Sequence, residues 1–238
     1  MRVPRTDRLP GQAGCAWLAP MAEDDDRPGA PPCFQHELIG GHPVDPETWR
    51  DVARFRRAER ARLYAARKAL GVAGLRTQSA RIMAGLGEML GPLAGRRIAV
   101  FWPIRAEPDL RDWMAEADRA GAEMLLPVVV EKDAALIFRR WRPGVAMTRG
   151  HWNIPVPETG APITPDLVIA PLLGLDGAGY RLGNGGGYYD RTLAGLAAEV
   201  VGVGFSDCRI KTIFPQPWDI PMQRAMLGSG ERLEFPKS

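Results

Sequence analysis

Gly179-Tyr180-Arg181-Leu182-Gly183-Asn184-Gly185-Gly186-Gly187-Tyr188-Tyr189-Asp190-Arg191 is the stretch on which the reading of this 238-residue chain turns. An apolar run from Leu167 to Leu173 precedes it and reads as a buried strand; Thr192 to Ala198 behind it reads as a helix. Strand, glycine loop and helix in that order present bare backbone N–H groups and the positive end of a helix dipole to an anion. Glycine suits such a loop because each missing Cβ permits close approach and because the turns call for positive φ.

The loop is not a Walker phosphate loop, since no Gly-Lys-Ser/Thr follows at the required spacing. It is not the Rossmann fingerprint either: Gly183 and Gly185 fit, but Tyr188 stands where a third glycine belongs. The plain alternative is a flexible tight turn. Two tyrosines, an aspartate and an arginine directly behind the glycines favour a binding loop.

From Gly179 to Arg191 the residues closely resemble the signature of the 5-formyltetrahydrofolate cyclo-ligase (methenyltetrahydrofolate synthetase) family, and the likeness extends from about Phe55 to about Met222. The resemblance implies a single α/β domain of three layers, with a mixed, mostly parallel sheet flanked by helices. It implies an enzyme that turns 5-formyltetrahydrofolate into 5,10-methenyltetrahydrofolate while splitting ATP to ADP and phosphate, with Mg²⁺. Members begin with a Lys-x-x-x-Arg pair that contacts ATP; Arg56 and Arg60 match it, with Arg in place of Lys, a change of reach and geometry at constant charge. Trp102 and Glu107 match the folate pocket. His151 to Pro157 is similar to the family's Ile-Pro stretch, and Asp219 matches an aspartate that binds magnesium. Trp218 replaces the usual histidine, Asn184 stands where bacterial members often carry Tyr, and Gln223 to Gly228 replaces an aspartate followed by Val-Thr-Glu.

On this reading Arg56, Arg60, Arg181, Leu182, Gly183, Asn184, Gly185, Gly186, Gly187, Tyr188 and Tyr189 contact ATP. Trp102, Glu107, Asn184, Gly185, Gly186, Gly187 and Tyr188 contact the folate. Asp190 and Asp219 are hard oxygen ligands for Mg²⁺, which takes one or two carboxylates and keeps waters, and Arg181 and Asp190 are the catalytic pair. Asp190 also has a simpler reading as a first-turn helix carboxylate, and one of the two tyrosines as core. His151 has no ligand-type neighbour in sequence, so an ordinary surface or hydrogen-bonded histidine is expected.

Hydrophobic content of 45% and charged content of 25% describe an ordinary globular chain, and a net charge of +3 is too small to imply nucleic acid by itself. No apolar run approaches the roughly 20 residues that span a bilayer. Cys15, Cys33 and Cys208 lack metal-type spacing and fit a reducing compartment, here the cytoplasm. A monomer is expected, with a dimer as the alternative. Residues 1–45 read as an N-terminal extension, poorly ordered in part; Pro, Gly and Asp dominate as far as Pro32. Met21 is a candidate true start, which an intact mass beginning at Met1 would exclude.

Asp45-Pro46-Glu47 signals a helix start. The helix runs to about Leu70, with Trp49, Val52, Arg56, Arg60, Leu63, Arg67 and Leu70 on one face. Further helices are expected over Thr77–Leu90 and Leu110–Ala120, the latter with Asp109 as N-cap. Strands are expected over Arg97–Ile104, Glu123–Val130, Leu136–Trp141 (an edge or hairpin strand), Pro165–Pro171 and Val200–Phe205. Two rival functions remain open. One is a non-cyclising paralogue that binds folate or a phosphorylated ligand; the other reads the basic first helix as a nucleic-acid contact.

Overall fold

Asp45 opens the first long helix as its residue type predicts, its side chain accepting the Thr48 N–H at 2.8 Å, with Pro46 in the first turn. The computed structural model describes residues 37–39 and 41–236. A short hairpin, β1 (Glu37–Ile39) and β2 (His42–Val44), leads into α1 (Pro46–Ala69) and α2 (Gly71–Leu90). The rest of the expected N-terminal extension lies outside the described residues, with Met21, Cys15 and Cys33.

The remaining elements follow in order: β3 (Arg97–Val100), α3 (Arg111–Arg119), β4 (Glu123–Val128), β5 (Ile137–Arg140), β6 (Met147–Arg149), β7 (Pro155–Pro157) and β8 (Leu167–Pro171). Then come β9 (Gly174–Leu175), β10 (Arg181–Leu182), α4 (Tyr188–Ala194), β11 (Glu199–Gly204), β12 (Arg224–Leu227) and β13 (Arg232–Glu234). The main sheet has seven strands in the order β13-β12-β11-β8-β3-β4-β5. Its five inner strands run parallel, and the edge strands β5 and β13 run antiparallel to their neighbours.

Side-chain alternation along these strands builds two cores. Ile98, Val100, Met124, Leu126, Ile169, Val201 and Met226 face α2 and α3, while Ala99, Leu125, Val168, Ala170 and Leu227 face the side covered by Leu193 of α4. The fold is therefore the three-layered, mostly parallel α/β architecture expected. α1 adds a third, smaller core of Leu63, Leu173, Leu182 and Ile213, outside the sheet and beside the glycine loop.

Four local expectations are corrected, and one odd stretch of sequence finds its place in the sheet. α2 begins six residues before Thr77, because Leu70 keeps helical dihedrals and only Gly71, at φ +61°, bends the path. The strand expected to run to Ile104 stops at Val100, and Asp109 accepts the Arg111 N–H without being the formal cap of α3. The helix after the glycines starts at Tyr188, not Thr192. Gln223 to Gly228, an odd tail in sequence, contains β12, whose Ala225, Met226 and Leu227 are buried between β11 and β13.

A Cβ built on Gly174 would sit 2.9 Å from Leu63 Cδ1, 3.1 Å from Leu182 Cβ and 3.2 Å from Ile210 Cδ1, where α1 meets the β9–β10 hairpin. Overpacking of this kind costs about 1–3 kcal/mol. Gly174→Ala should lower the free energy of unfolding by that amount, read from urea denaturation; an unchanged midpoint would refute this close packing.

Candidate active site

The glycine loop does not follow its strand directly. Between β8 and the loop the chain makes the β9–β10 hairpin, tied by a buried carboxylate that sequence reading missed. Asp176 Oδ1 accepts the Ala178 and Tyr180 N–H groups at 3.0 Å each, and Oδ2 accepts that of Ile213 at 3.2 Å. The hairpin delivers Arg181 from β10 and then the loop, while α4 carries Tyr188, Tyr189 and Asp190 in its first turn. Gly185 and Gly187 sit at φ +96° and +67°, backbone that side chains resist. A Cβ on Gly186 would strike Trp152 at 2.8 Å, and one on Gly187 would strike Arg191 at 2.6 Å.

All the residues picked from the sequence line one cavity of about 410 Å³. It opens between the glycine loop, the cavity-facing side of α1, the segment after β3 and the Trp218–Asp219 turn. Arg56 and Arg67 of α1 are buried and Arg60 is half-buried on the cavity side, while Arg50, Arg54, Arg57 and Arg62 are exposed. Arg56 is buried and fully engaged: Nε donates to Ile213 O at 2.9 Å, Nη2 to Phe214 O at 2.9 Å, and Nη1 and Nη2 grip both oxygens of Asp219. Asp219 Oδ2 also accepts the Gln216 N–H at 2.6 Å.

Arg60 differs. Its Nε donates to Gly183 O at 2.8 Å, its guanidinium lies against Gly185, and among the described residues no carboxylate pairs with it. Burial, and then the neighbouring Arg56 cation, press its pKa downward. A half-buried guanidinium beside bare backbone in a cavity is a standing demand for an anion.

Arg181 is buried and donates to Asp190 Oδ1 at 2.9 Å, with its guanidinium 5.5 Å from the centre of the Tyr189 ring. The Ile220 N–H also reaches Asp190 Oδ1, at 3.3 Å, which leaves Oδ2 without a partner among the described residues. Burial raises the Asp190 carboxyl more than Arg181 lowers it. Burial likewise raises the Tyr189 phenol, which stays a neutral donor.

Glu107 closes the other side. It is 8% exposed; Oε2 accepts the Ile104 N–H at 3.1 Å and Oε1 the Asn184 amide at 3.2 Å, while Asn184 Oδ1 accepts from Tyr64. Arg67 anchors the turn that carries Glu107, donating to Arg105 O at 3.3 Å. Arg105 and Ala106 in that turn have positive φ, +47° and +55°.

His151 and Trp152 line the cavity, a role sequence reading did not give them. His151 Nε2 lies 3.4 Å from the Tyr188 hydroxyl, and Trp152, 57% exposed, stands edge-on to the Tyr188 ring at 5.7 Å. Trp152 and Asn153 both adopt left-handed backbone, which the adjacent His-Trp-Asn residue types do not announce. No group of three or more His, Cys, Asp or Glu side chains gathers among the described residues, so a metal here would rest on two carboxylates and its own waters. Cys208 is buried, its thiol pushed up to about 12 by burial, and is unreactive at neutral pH.

Residues 52–227 match the sequence profile of the 5-formyltetrahydrofolate cyclo-ligase family. The chain belongs to that family. A 5-formyltetrahydrofolate cyclo-ligase of Mycolicibacterium smegmatis is 33% identical over 145 residues, covering 56% of this chain and 74% of the relative. One of Escherichia coli K12 is 33% identical over 134 residues, covering 52% and 74%. In fold, the chain is similar to the 5,10-methenyltetrahydrofolate synthetase of Aquifex aeolicus, with TM-score 0.67 and 24% identity over 77% of this chain and 94% of that one. The corresponding enzyme of Mycoplasma pneumoniae gives TM-score 0.58 and 23% identity over 72% and 96%. No helix among the described residues is long and apolar enough to cross a membrane.

The raised Glu107 carboxyl has a measurable consequence. Its folded pKa lies above the unfolded value, so its stabilising contribution is complete below the ordinary carboxylate range and is lost as pH rises through the raised value. Glu107→Gln should remove that part of the decline. Urea denaturation across acid to neutral pH should show the variant gaining stability relative to the parent as pH rises; parallel curves would refute a carboxyl strained by burial.

Proposed function

We propose that this protein is an ATP- and Mg²⁺-dependent 5-formyltetrahydrofolate cyclo-ligase that releases 5,10-methenyltetrahydrofolate, ADP and phosphate. The observation that carries the reading is Arg60, a guanidinium without a carboxylate partner, held against Gly183 and Gly185 in the same cavity as Glu107. The family membership supports the substrate.

The chemical difficulty is that a formamide carbonyl is a weak electrophile and its oxygen a poor leaving group. Attack of the formyl oxygen on the γ-phosphorus of ATP forms a C–O–P link and breaks the P–O bond to ADP. N10 then attacks the formyl carbon, the C–O bond breaks, phosphate leaves with its electron pair, and N10 yields its proton to solvent. The chain contributes positioning and charge neutralisation. Arg60 and the N–H groups of Gly185 to Gly187 hold phosphate oxygens; Arg181 fixes Asp190. Trp102, Trp152 and Tyr188 offer apolar ring surface to the pterin, and the remaining lone pairs of Glu107 accept its N–H donors.

Asp190, through its unpartnered Oδ2, and Asp219 beside it fit Mg²⁺, a hard cation that takes oxygen ligands. When bound, Mg²⁺ neutralises charge on the phosphates. A second reading, binding without turnover, is favoured by one feature: both oxygens of Asp219 are already held by Arg56.

Absorbance of the methenyl product should rise only with ATP and Mg²⁺ present and should stop on chelation. Pure folded protein that binds 5-formyltetrahydrofolate in a calorimeter yet gives no such signal would overturn the cyclo-ligase reading in favour of the second. Asp190→Asn should raise the Mg²⁺ concentration for half-maximal turnover by roughly 10- to 100-fold, the scale of metal-site losses. An unchanged Mg²⁺ titration would remove Asp190 from the metal site.

A further inference from the structure

Trp49 and Trp218 both line the cavity, and both are half-buried. Their rings meet edge to face, with centroids 5.3 Å apart and planes at 77°. Neither belongs to the three apolar cores, and neither indole N–H has a hydrogen-bond partner among the described residues. His42 of the β1–β2 hairpin lies 6.2 Å from Trp218, and the Arg56–Asp219 pair fixes the turn from which Trp218 projects.

On α1, Trp49, Ala53, Arg57 and Arg60 follow one another at steps of three and four, and all four line the cavity. At 1.5 Å of rise per residue, Trp49 and Arg60 stand about 16 Å apart along the helix axis. That length suits an extended nucleoside triphosphate with its terminal phosphate at the glycine loop. Ala53 leaves space at the middle of the row. Arg57, exposed and without an ion-pair partner among the described residues, offers a cation partway along.

We propose that Trp49 and Trp218 form the nucleotide's base subsite, a purine lying on one indole face with the second indole at its edge. The free indole N–H groups face an acceptor-rich ring, and two bicyclic side chains suit a bicyclic base. This rests on the nucleotide reading of the glycine loop above.

Calorimetry with MgATP and with Mg-tripolyphosphate, a probe that keeps the phosphates and lacks the base, tests the two separately. The parent should bind MgATP more tightly than tripolyphosphate. Trp218→Ala should weaken MgATP by about 10- to 100-fold, the usual scale of base stacking on an aromatic side chain. Tripolyphosphate affinity should not change, and Trp218→Phe should recover most of the loss. If Trp218→Ala and Trp49→Ala both bind MgATP as the parent does, the subsite is refuted while the glycine loop keeps its role. Equal losses for both probes would also refute it, by showing that Trp218 acts only through the turn it sits on. A parent that binds neither probe overturns the nucleotide reading and the subsite together.

Discussion

Arg56, Arg60 and Arg67 project from α1 at four- and seven-residue intervals, and each fixes a different segment of the cavity wall. Arg56 holds the carbonyls of Ile213 and Phe214 and the Asp219 carboxylate; Arg60 holds Gly183; Arg67 holds Arg105 and Leu172. Guanidinium is suited to this because its five donors point in a fixed plane and it keeps its charge when desolvated. Backbone carbonyls alone offset only part of the cost of burying a cation. Burial accordingly depresses the pKa of both Arg60 and Arg67, with no carboxylate to offset it by direct pairing. The cavity is thus held open by groups that a simple apolar helix face would not supply.

That arrangement also sets the electrostatics. Glu107 is a buried carboxyl and Asp190 a half-buried one, both with raised pKa values, and Arg60 is a half-buried cation with a lowered one, so three charges in one cavity are each incompletely solvated. Such groups gain most from a ligand of opposite character, because the desolvation cost has already been met in the folded state. Asp219 is the contrasting case: with Arg56 opposite, its charge is balanced within the protein. Two carboxylates of one cavity are therefore differently disposed towards a cation: Asp190 is held by Arg181 through Oδ1 alone, and Asp219 by Arg56 through both oxygens.

The departures from family pattern separate by location. Asn184 and Trp218 line the cavity and bear on binding. Gln223 to Gly228 forms or flanks a buried parallel strand, so its changed residues bear on packing between β11 and β13. Sequence alone gives both kinds of change the same weight, since a strand of four residues carrying an arginine has no clear period.

Local rules were enough for much of the chain. The apolar runs specify the inner strands, Asp45-Pro46 specifies the start of α1, and the three- and four-residue spacing groups the residues of one face, of which Val52, Arg56, Leu63 and Arg67 are buried. The glycines and the residues behind them identify the loop. What the sequence could not decide is which partner each charged group finds. The 163 positions between Arg56 and Asp219, the 77 between Glu107 and Asn184, and the approach of Trp49 to Trp218 are settled only when the parallel sheet brings its loops to one edge. Periodicity encodes which side of an element is buried, because that depends on residues a few positions apart; contact between distant loops depends on the order of the strands, which no local pattern records.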